Sequence, residues 1–314
     1  MASVLDLKSI KDGMVLNECV VYLGSYKKLP KKDGKTFYIA GNFTNQNDSV
    51  SFKVWDLQLV DYLSANDLVG KVVKISGSVG SYQNVLDVKI EAIEPVDESQ
   101  FSKALFLKSA DVDALFKEFT DFVNTELSPN AVKLILGIFK TENLFPRFKE
   151  EFAGSKMHDA QIGGLLHHTL KMLKIGKVVY ENEPRMNTLQ FYKDMFYLGI
   201  ILHDVGKIHE MLFGVYQENS FVTHRILGIE ILVKYKAQIV GLFDENFYYE
   251  LVSVLQGHHG EFGDAPTTVL AYIVHLIDML DSQTTGIFDR IESNEVSTRA
   301  GNMTVLVNGK YLVV

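Results

Sequence analysis

Cysteine is almost absent from this chain: Cys19 is the only one among 314 residues. A single cysteine excludes an internal disulfide framework and any thiolate-rich zinc site. The sequence also has no Ser-His-Asp arrangement with a nucleophile elbow, so a covalent enzyme intermediate has little support. Any bound metal must therefore be held by nitrogen and oxygen ligands.

Long apolar runs and an excess of positive charge are also lacking. No run of about 18 uncharged apolar residues occurs, and the segment MASVLDLKSIKDG lacks a basic region followed by an apolar stretch. We therefore expect no membrane partner, no secretory signal and a cytoplasmic location. The formal net charge of -8 argues against a protein that coats nucleic acid by bulk positive charge, although it leaves room for a local basic groove.

Residues 14–96 have a strand-like pattern, rich in valine, isoleucine and aromatic residues and divided by turn-forming residues. Five strands are predicted, in NECVVYLGSY, KTFYIAGNFTN, SVSFKVWD, KVVKISGSVGSY and VLDVKIEAIEPV. Between the third and fourth, LQLVDYLSANDL has apolar residues at helical spacing. This order is that of an OB-fold, a small barrel that binds single-stranded nucleic acid. We predict such a nucleic-acid-binding domain over residues 1–98.

A lysine-rich segment, KKLPKKDGK, falls in the first long loop of the predicted barrel. Ammonium groups can neutralise phosphates, and aromatic faces can stack on bases. The candidate nucleic-acid contacts are Lys27, Lys28, Lys31, Lys32, Lys35, Tyr38 and Trp55. In a barrel this small, however, most aromatic residues must fill the interior. A lysine-rich hairpin tip can also be no more than a solvated surface.

Helical periodicity replaces the strand pattern after the polar segment EPVDESQ, which is typical of a linker. We expect a helical connector over residues 99–155, an all-helical domain over 156–285 and a tail over 286–314. The tail contains MTVLVNGKYLVV, whose Asn-Gly pair favours a terminal β-hairpin. The predicted fold class is multidomain α and β, with a five-stranded β-barrel followed by a helical domain.

All nine histidines lie between His158 and His275. Several stand in a fixed order with two aspartates, in GGLLHHT, LHDVGKIHE, FVTHRILG, GHHGEFG and HLIDMLD. Asp204 follows the apolar run MFYLGIIL, and Asp278 interrupts an apolar stripe, so each carboxylate needs a compensating charge such as a divalent cation. Any one of these residues alone is more often part of a hydrogen-bonded core. Their recurrence in one helical region favours a metal site.

This ordered set resembles that of the HD-domain metal-dependent phosphohydrolases. With the preceding barrel, the segments GGLLHHT, LHDVGKIHE, THRILG, GHHG and HLIDMLDS are more closely similar to the YhaM-type 3'-5' exoribonucleases, over most of residues 14–283. The resemblance implies an all-helical HD domain that binds one or two divalent ions and an OB-fold that supplies single-stranded RNA. Two departures occur: His158 is followed by Asp159 where such enzymes often carry a His-His pair, and His167 stands where an acidic residue is common.

The resemblance also assigns roles to residues. Metal ligation falls on His168, His203, Asp204, His224, Asp278 and at least one of His258 and His259. Asp204 is the candidate to bridge two ions, and Lys207, one turn beyond it, can neutralise a phosphate oxygen. Asp204 and Lys207 are therefore the predicted catalytic residues. Mn2+ is the expected ion, with Mg2+, Fe2+, Co2+ and Zn2+ as alternatives.

The expected function is a metal-dependent 3'-5' exoribonuclease that hydrolyses single-stranded RNA to nucleoside monophosphates, with single-stranded DNA as a further substrate. One alternative is an HD-domain phosphohydrolase of free nucleotides or cyclic dinucleotides. The continuation EFGDAPTT, in place of a Gly-Tyr-Pro motif, disfavours the cyclic dinucleotides. An alternative of another class is a non-catalytic protein that binds single-stranded nucleic acid. A homo-oligomeric state is left open.

Overall fold

The computed structural model describes residues 3–45, 48–82, 85–97, 101, 103–155, 158–186, 190–217, 221–292, 296–299, 302–307 and 310–313. The chain divides into two compact units, Met1–Lys108 and Ser109–Val314. The finer division at residues 98, 155 and 285 stays a prediction.

The first unit is a closed β-barrel. Its elements are β1 (Ser3–Val4), β2 (Val15–Pro30), β3 (Phe37–Asn45), β4 (Asp48–Val54), α1 (Leu57–Ala65), β5 (Val72–Tyr82) and β6 (Val85–Pro95). The strands pair in the order β1-β2-β3-β4-β6-β5, and an additional pairing of β2 with β5 closes the ring. The short β1 only adds a parallel pairing to β2. The predicted five-stranded OB-fold, with one helix between its third and fourth strands, is confirmed.

Aromatic residues and two glycines shape the barrel interior. Phe43 and Phe52 are fully buried and stack with their ring centroids 4.4 Å apart. A Cβ atom on Gly41 would overlap the carbonyl oxygen of Ser25, and one on Gly77 would overlap a carbonyl oxygen of the neighbouring strand. Glycine therefore allows these strands to approach closely, and part of the aromatic set fills the core as predicted.

Helix α1 is fixed to the barrel by a cap and by two buried side chains. The Asp56 carboxylate accepts a hydrogen bond from the Leu59 backbone N–H at 3.0 Å, which satisfies a free donor at the start of the helix. Val60 and Leu63 are buried in the barrel core. Tyr26 on β2 donates its hydroxyl to the Leu63 carbonyl at 2.9 Å. The end of α1 therefore lies beside β2.

The second unit is built from helices. They are α2 (Val112–Glu126), α3 (Pro129–Thr141), α4 (Phe145–Glu150), α5 (Gly164–Asn182), α6 (Gln190–Leu202), α7 (Lys207–Glu210), α8 (His224–Lys234), α9 (Lys236–Leu242), α10 (Glu245–Gly257) and α11 (Val269–Glu292). A two-residue hairpin, β7 (Met211–Leu212) and β8 (Val215–Tyr216), follows α7. None of the helices in the described ranges combines the length and apolar character needed to cross a bilayer.

Helix α6 lies at the centre of the helical core. Its last eight residues, 195–202, are all buried, as their unbroken apolar sequence predicts. Helices α5, α10 and α11 pack against it. The chain leaves α6 directly into His203 and Asp204, so the packing that buries α6 also places these two residues inside the unit.

The last strands form an antiparallel sheet. They are β9 (Val296–Arg299), β10 (Asn302–Val307) and β11 (Lys310–Val313), in the order β11-β10-β9. The pairing of β10 with β11 agrees with a hairpin in the predicted tail. The predicted Asn-Gly turn, residues 308–309, lies outside the described residues.

Candidate active site

The predicted metal ligands come from several helices, and all but Asp278 lie at or near a helix end. His168 lies in the second turn of α5, His203 and Asp204 follow α6, His224 begins α8, His258 and His259 follow α10, and Asp278 lies within α11. Part of this convergence arises because the turn after Asp204 lies close to the start of α8. A Cβ atom on Gly206 would overlap the carbonyl oxygen of His224. Glycine at this position therefore lets the turn after Asp204 lie against the start of α8.

Asp204 is the centre of the cluster. Its Oδ2 atom lies 3.1 Å from His203 Nε2 and 3.8 Å from His168 Nε2. Its Oδ1 atom lies 3.4 Å from the Nε2 atoms of both His224 and His258. The two oxygens of one buried carboxylate therefore face different pairs of imidazoles.

The ligand atoms form two groups on either side of Asp204. The members of each group have candidate ligand atoms within 4.8 Å of one another. One group is Asp204, His224, His258 and His259, and the other is His168, His203 and Asp278. All seven predicted ligands are thus brought together. This arrangement is what two neighbouring cations sharing one carboxylate would need.

Two of the imidazoles are oriented by backbone carbonyls. His203 Nδ1 lies 2.7 Å from the Ile200 carbonyl oxygen, and His258 Nδ1 lies 3.0 Å from the Leu255 carbonyl oxygen. Because a carbonyl can only accept, the proton must be on Nδ1 in both rings. In the neutral ring the lone pair is then on Nε2, which faces Asp204 and is the atom that can bind a metal.

Two further imidazoles are oriented by carboxylates. His168 Nδ1 lies 2.7 Å from Asp281 Oδ2, and His224 Nδ1 lies 2.7 Å from Glu210 Oε2. Metal-binding histidines usually donate their other ring N–H to a carboxylate or carbonyl, which fixes the ring and increases its basicity. The contacts of the His168 and His224 rings are therefore those expected of metal-binding histidines.

Several atoms that face the two groups lack hydrogen bonds. Among the described residues, the buried Nε2 atoms of His168, His203 and His258 and the Oδ1 atom of Asp204 have no hydrogen-bond partner. Leaving four such atoms unsatisfied in one place is costly, and a divalent cation would satisfy them together. The donor set therefore fits a divalent metal.

The pKa directions in the site reflect the same uncompensated charge. Burial alone would lower the pKa of His168, but the carboxylates of Asp278 and Asp281 outweigh it and raise the pKa to about 9. Burial would raise the pKa of Asp204, but the charges of His203 and Lys207 outweigh it and hold that pKa well below its usual value. Without a cation, a proton on His168 thus supplies part of the missing positive charge.

Lys207 lies where the motif predicts it. Its buried ammonium contacts Asp204 Oδ2 at 2.6 Å and donates to the Ala153 carbonyl oxygen at 2.6 Å. Within the part of the chain that the structure describes, two of its three N–H donors are therefore engaged, which leaves one for another acceptor. Its contact with a substrate phosphate stays a prediction.

A third group with similar spacing, Asp159, His168 and Asp281, already contains a cation from the chain. Lys171 Nζ lies 2.8 Å from Asp159 Oδ2 and 3.1 Å from Asp281 Oδ1. His167, which departs from the family pattern, has its Nδ1 atom 2.7 Å from Asp159 Oδ1. These charges are paired within the protein, so this group does not need a metal.

Several residues around the ligands were not predicted from the sequence. Asp281 and Glu210 orient ligand rings, and Asp281 carries a readable signal because it lies three residues after Asp278 on the same helix face. His158 was noted only as a departure, but its ring centroid lies 5.2 Å from that of His168. Burial lowers the pKa of His158 to about 4, so the ring is neutral. Its position at the cluster follows from tertiary packing alone.

The predicted nucleic-acid contacts lie on the hairpin of β2 and β3 and at the end of β4. Tyr38 and Trp55 stack on each other with ring centroids 4.5 Å apart, and Trp55 is 41% exposed. Lys31 Nζ lies 5.8 Å from the centroid of the Trp55 ring, and Lys28 Nζ lies 5.3 Å from that of Phe37. Cations and exposed aromatic faces therefore share one surface, which also includes Phe37.

The other predicted lysines are on the same hairpin. Lys27, Lys32 and Lys35 are exposed. Asp33 closes the turn, because its Oδ1 atom accepts from the backbone N–H groups of Lys35 and Thr36, each at 2.9 Å. Lys31 is half-buried and its Nζ atom donates to the Trp55 carbonyl oxygen at 3.3 Å, so the hairpin presents four of the five lysines fully to solvent or to a partner.

The comparison with known proteins agrees with this geometry. The sequence model of the HD domain family matches residues 156–283. The second unit contains an HD domain. The 3'-5' exoribonuclease YhaM of Oceanobacillus iheyensis is 27% identical over 253 residues, which cover 74% of each chain. The protein of that name from Shouchella clausii is 29% identical over 278 residues, covering 83% of this chain and 82% of the relative.

The resemblance to the YhaM-type proteins is therefore confirmed, and it covers more of the chain than the residues that the HD domain model matches. Among solved structures, the mitochondrial single-stranded DNA binding protein Rim1 of S. cerevisiae is similar over 28% of this chain and 97% of its own, at 14% identity and a TM-score of 0.24.

Proposed function

We propose that this protein is a metal-dependent 3'-5' exoribonuclease that hydrolyses single-stranded RNA to nucleoside monophosphates. The observation that supports this most directly is the buried Asp204 carboxylate, whose two oxygens face two groups of imidazoles within an HD domain. The YhaM relatives, which match over most of the chain, carry the same activity in their names.

Seven residues of the HD domain would hold the metal. One or two bound divalent ions would activate water by lowering its pKa to about 7 and would stabilise charge on the phosphodiester. Asp204 would be shared between the ions, and Asp281 and Glu210 would keep the rings of His168 and His224 in their binding orientation. The mixed imidazole and carboxylate set suits Mn2+, Fe2+, Co2+ or Zn2+, whereas Mg2+ prefers oxygen ligands. We propose Mn2+ as the first ion to test.

The OB-fold would bind the single strand through the basic hairpin. Lys28 and Lys31 are held beside exposed aromatic rings, an arrangement that can contact a phosphate and a base together. Single-stranded DNA remains a second candidate substrate. The cytoplasmic location and a homo-oligomeric state stay predictions.

A product ladder tests the proposal. A linear single-stranded RNA labelled at its 5' end is incubated with the full chain and Mn2+, next to a circular RNA of the same sequence and a mixture of free nucleotides. Stepwise shortening of the linear RNA with release of nucleoside monophosphates, while the circle stays intact, is the expected result. Cleavage of the circle would indicate an endonuclease, release of phosphate from free nucleotides alone a phosphohydrolase, and binding without cleavage a non-catalytic protein.

Neutralising the hairpin is expected to weaken RNA binding. Each phosphate contact on a single strand contributes about 0.7 to the slope of log affinity against log salt. Substitution of Lys27, Lys28, Lys31 and Lys32 by alanine should therefore make the slope shallower by up to about 3 and lower the affinity at least about tenfold at low salt. Fluorescence anisotropy with labelled RNA at several salt concentrations measures both.

Exposed lysines elsewhere on the barrel provide the control. Lys8 and Lys89 have side chains 71% and 59% exposed, each beside a carboxylate, and their replacement by alanine should leave the slope nearly unchanged. An unchanged slope in the fourfold hairpin variant would show that the RNA contacts lie elsewhere.

A further inference from the structure

His275 contacts the turn that carries two of the metal ligands. Its Nδ1 atom lies 2.6 Å from the carbonyl oxygen of His258. Because the carbonyl accepts, His275 must donate from Nδ1. His275 belongs to α11, whereas His258 follows α10, so this hydrogen bond ties the turn after α10 to the neighbouring helix.

Gly260 packs against the other side of the same contact. It has a φ of +54°, a backbone conformation that favours glycine. A Cβ atom at this position would also overlap the imidazole ring of His275, with Nε2 and Cε1 as its nearest atoms. The turn and the ring are therefore closely packed, with no room for a side chain between them.

This contact joins the two ligand groups of the site. The turn carries His258, whose Nε2 atom lies 3.4 Å from Asp204, and His259, whose Nε2 atom lies 3.0 Å from His224 Nε2. Three residues after His275, on the same face of α11, Asp278 belongs to the other group. Helix α11 thus provides Asp278 to one ligand group and contacts the backbone of the turn that carries His258 and His259 in the other.

We infer that His275 is a positioning residue that holds the turn of His258, His259 and Gly260 on α11 and thereby fixes the separation of the two ligand groups. The effect on metal binding rests on the proposed function, but the effect on the turn does not. Contacts that orient metal ligands typically change metal affinity by about 10- to 100-fold when they are removed.

Two substitutions separate the donor from the ring. In His275→Asn, the side-chain amide can donate from near the position of Nδ1. In His275→Phe, the ring remains but the donor is lost. Leu276→Asn is the matched control, because Leu276 is the next residue of α11, is 49% exposed and lies outside this contact. Each variant is made in the full chain.

The first measurement is backbone hydrogen exchange in the metal-free protein. His275→Phe should accelerate exchange over residues 258–263, whereas His275→Asn and Leu276→Asn should exchange there like the wild type. The second is a titration with Mn2+ alone. In His275→Phe, the affinity for one ion should fall about tenfold or more, whereas the affinity for the other should stay within a few-fold of the wild-type value. A Mn2+ electron paramagnetic resonance spectrum that loses the signature of a coupled ion pair would report the same change.

Wild-type exchange in His275→Phe, or equal acceleration in His275→Asn and His275→Phe, would overturn the positioning role. Failure of the wild-type protein to bind Mn2+ would count against the proposed function instead. In that case the exchange comparison still decides whether His275 holds the turn.

Discussion

Replacement of Asp204 by asparagine is expected to leave at most one bound metal ion and to reduce RNA hydrolysis by about a thousandfold or more. The amide is similar in size to the carboxylate but lacks its charge, so it cannot compensate two cations at once. Loss of about 4 kcal/mol of transition-state stabilisation corresponds to roughly a thousandfold in rate. Metal content after dialysis, and the initial rate of nucleotide release, measure the two effects.

Asp264→Asn is the matched control for this substitution. Asp264 lies in the same unit and pairs with Arg225 at 2.8 Å, but it belongs to neither ligand group. Its amide variant should keep the metal content and rate of the wild type. Two tightly bound ions together with a wild-type rate in Asp204→Asn would exclude a bridging role for this carboxylate.

The candidate ligands could be recognised because a buried charge is visible in a sequence. Asp204 ends an apolar run, and Asp278 interrupts an apolar helix face, so each carboxylate stands out from its neighbours. The histidines lie at or near helix ends, and their order along the chain can be read directly from the sequence. The structure adds that these residues, which are far apart in the sequence, converge on Asp204.

The residues that orient the ligands were harder to predict. Glu210 and His275 act through contacts with residues 14 and 17 positions away, respectively. Ordinary surface residues have the same appearance in a sequence as these two, because only tertiary packing gives them a partner. Asp281 is the exception, since its spacing from Asp278 places it on the same helix face.

In the barrel, strand number and order were predictable because alternating apolar residues and turn residues are local signals. The mutual stacking of Tyr38 and Trp55 was not, because Tyr38 lies on β3 whereas Trp55 directly follows β4. Each ring therefore has one face covered by the other, which reduces the number of faces available to bases. The lysine segment forms a hairpin, and the salt dependence of the RNA affinity tests whether its lysines contact RNA.

The site also shows why one acidic group should take metal and another should not. Lys171 places an ammonium between Asp159 and Asp281, and the imidazoles of His167 and His168 contact their other oxygens, so all four carboxylate oxygens have a partner within the chain. Asp204 has Lys207 on one oxygen only, and its other oxygen has no hydrogen-bond partner among the described residues. The oxygens of Asp159 and Asp281 are thus all engaged by the chain, whereas Asp204 keeps one oxygen that a cation would satisfy.

Substitution of Lys207 by methionine is expected to lower kcat by about a hundredfold while at least one metal ion stays bound. Methionine keeps much of the buried stem of lysine but removes the ammonium, and loss of one preorganised donor at developing charge typically costs about 100- to 1000-fold in rate. Single-turnover hydrolysis with saturating Mn2+ measures the chemical step, and the metal content is measured on the same sample.

Lys174→Met is the control, because Lys174 is on α5, 53% exposed and paired with Glu118. It should retain the wild-type kcat. If Lys207 had only a structural role, the methionine variant would give a different result. Its melting temperature would fall, because the Ala153 carbonyl and Asp204 would each lose a donor. Its kcat per folded molecule would stay at the wild-type value. A hundredfold loss of kcat in protein that is fully folded and metal-loaded would instead mean that Lys207 contributes to the chemical step.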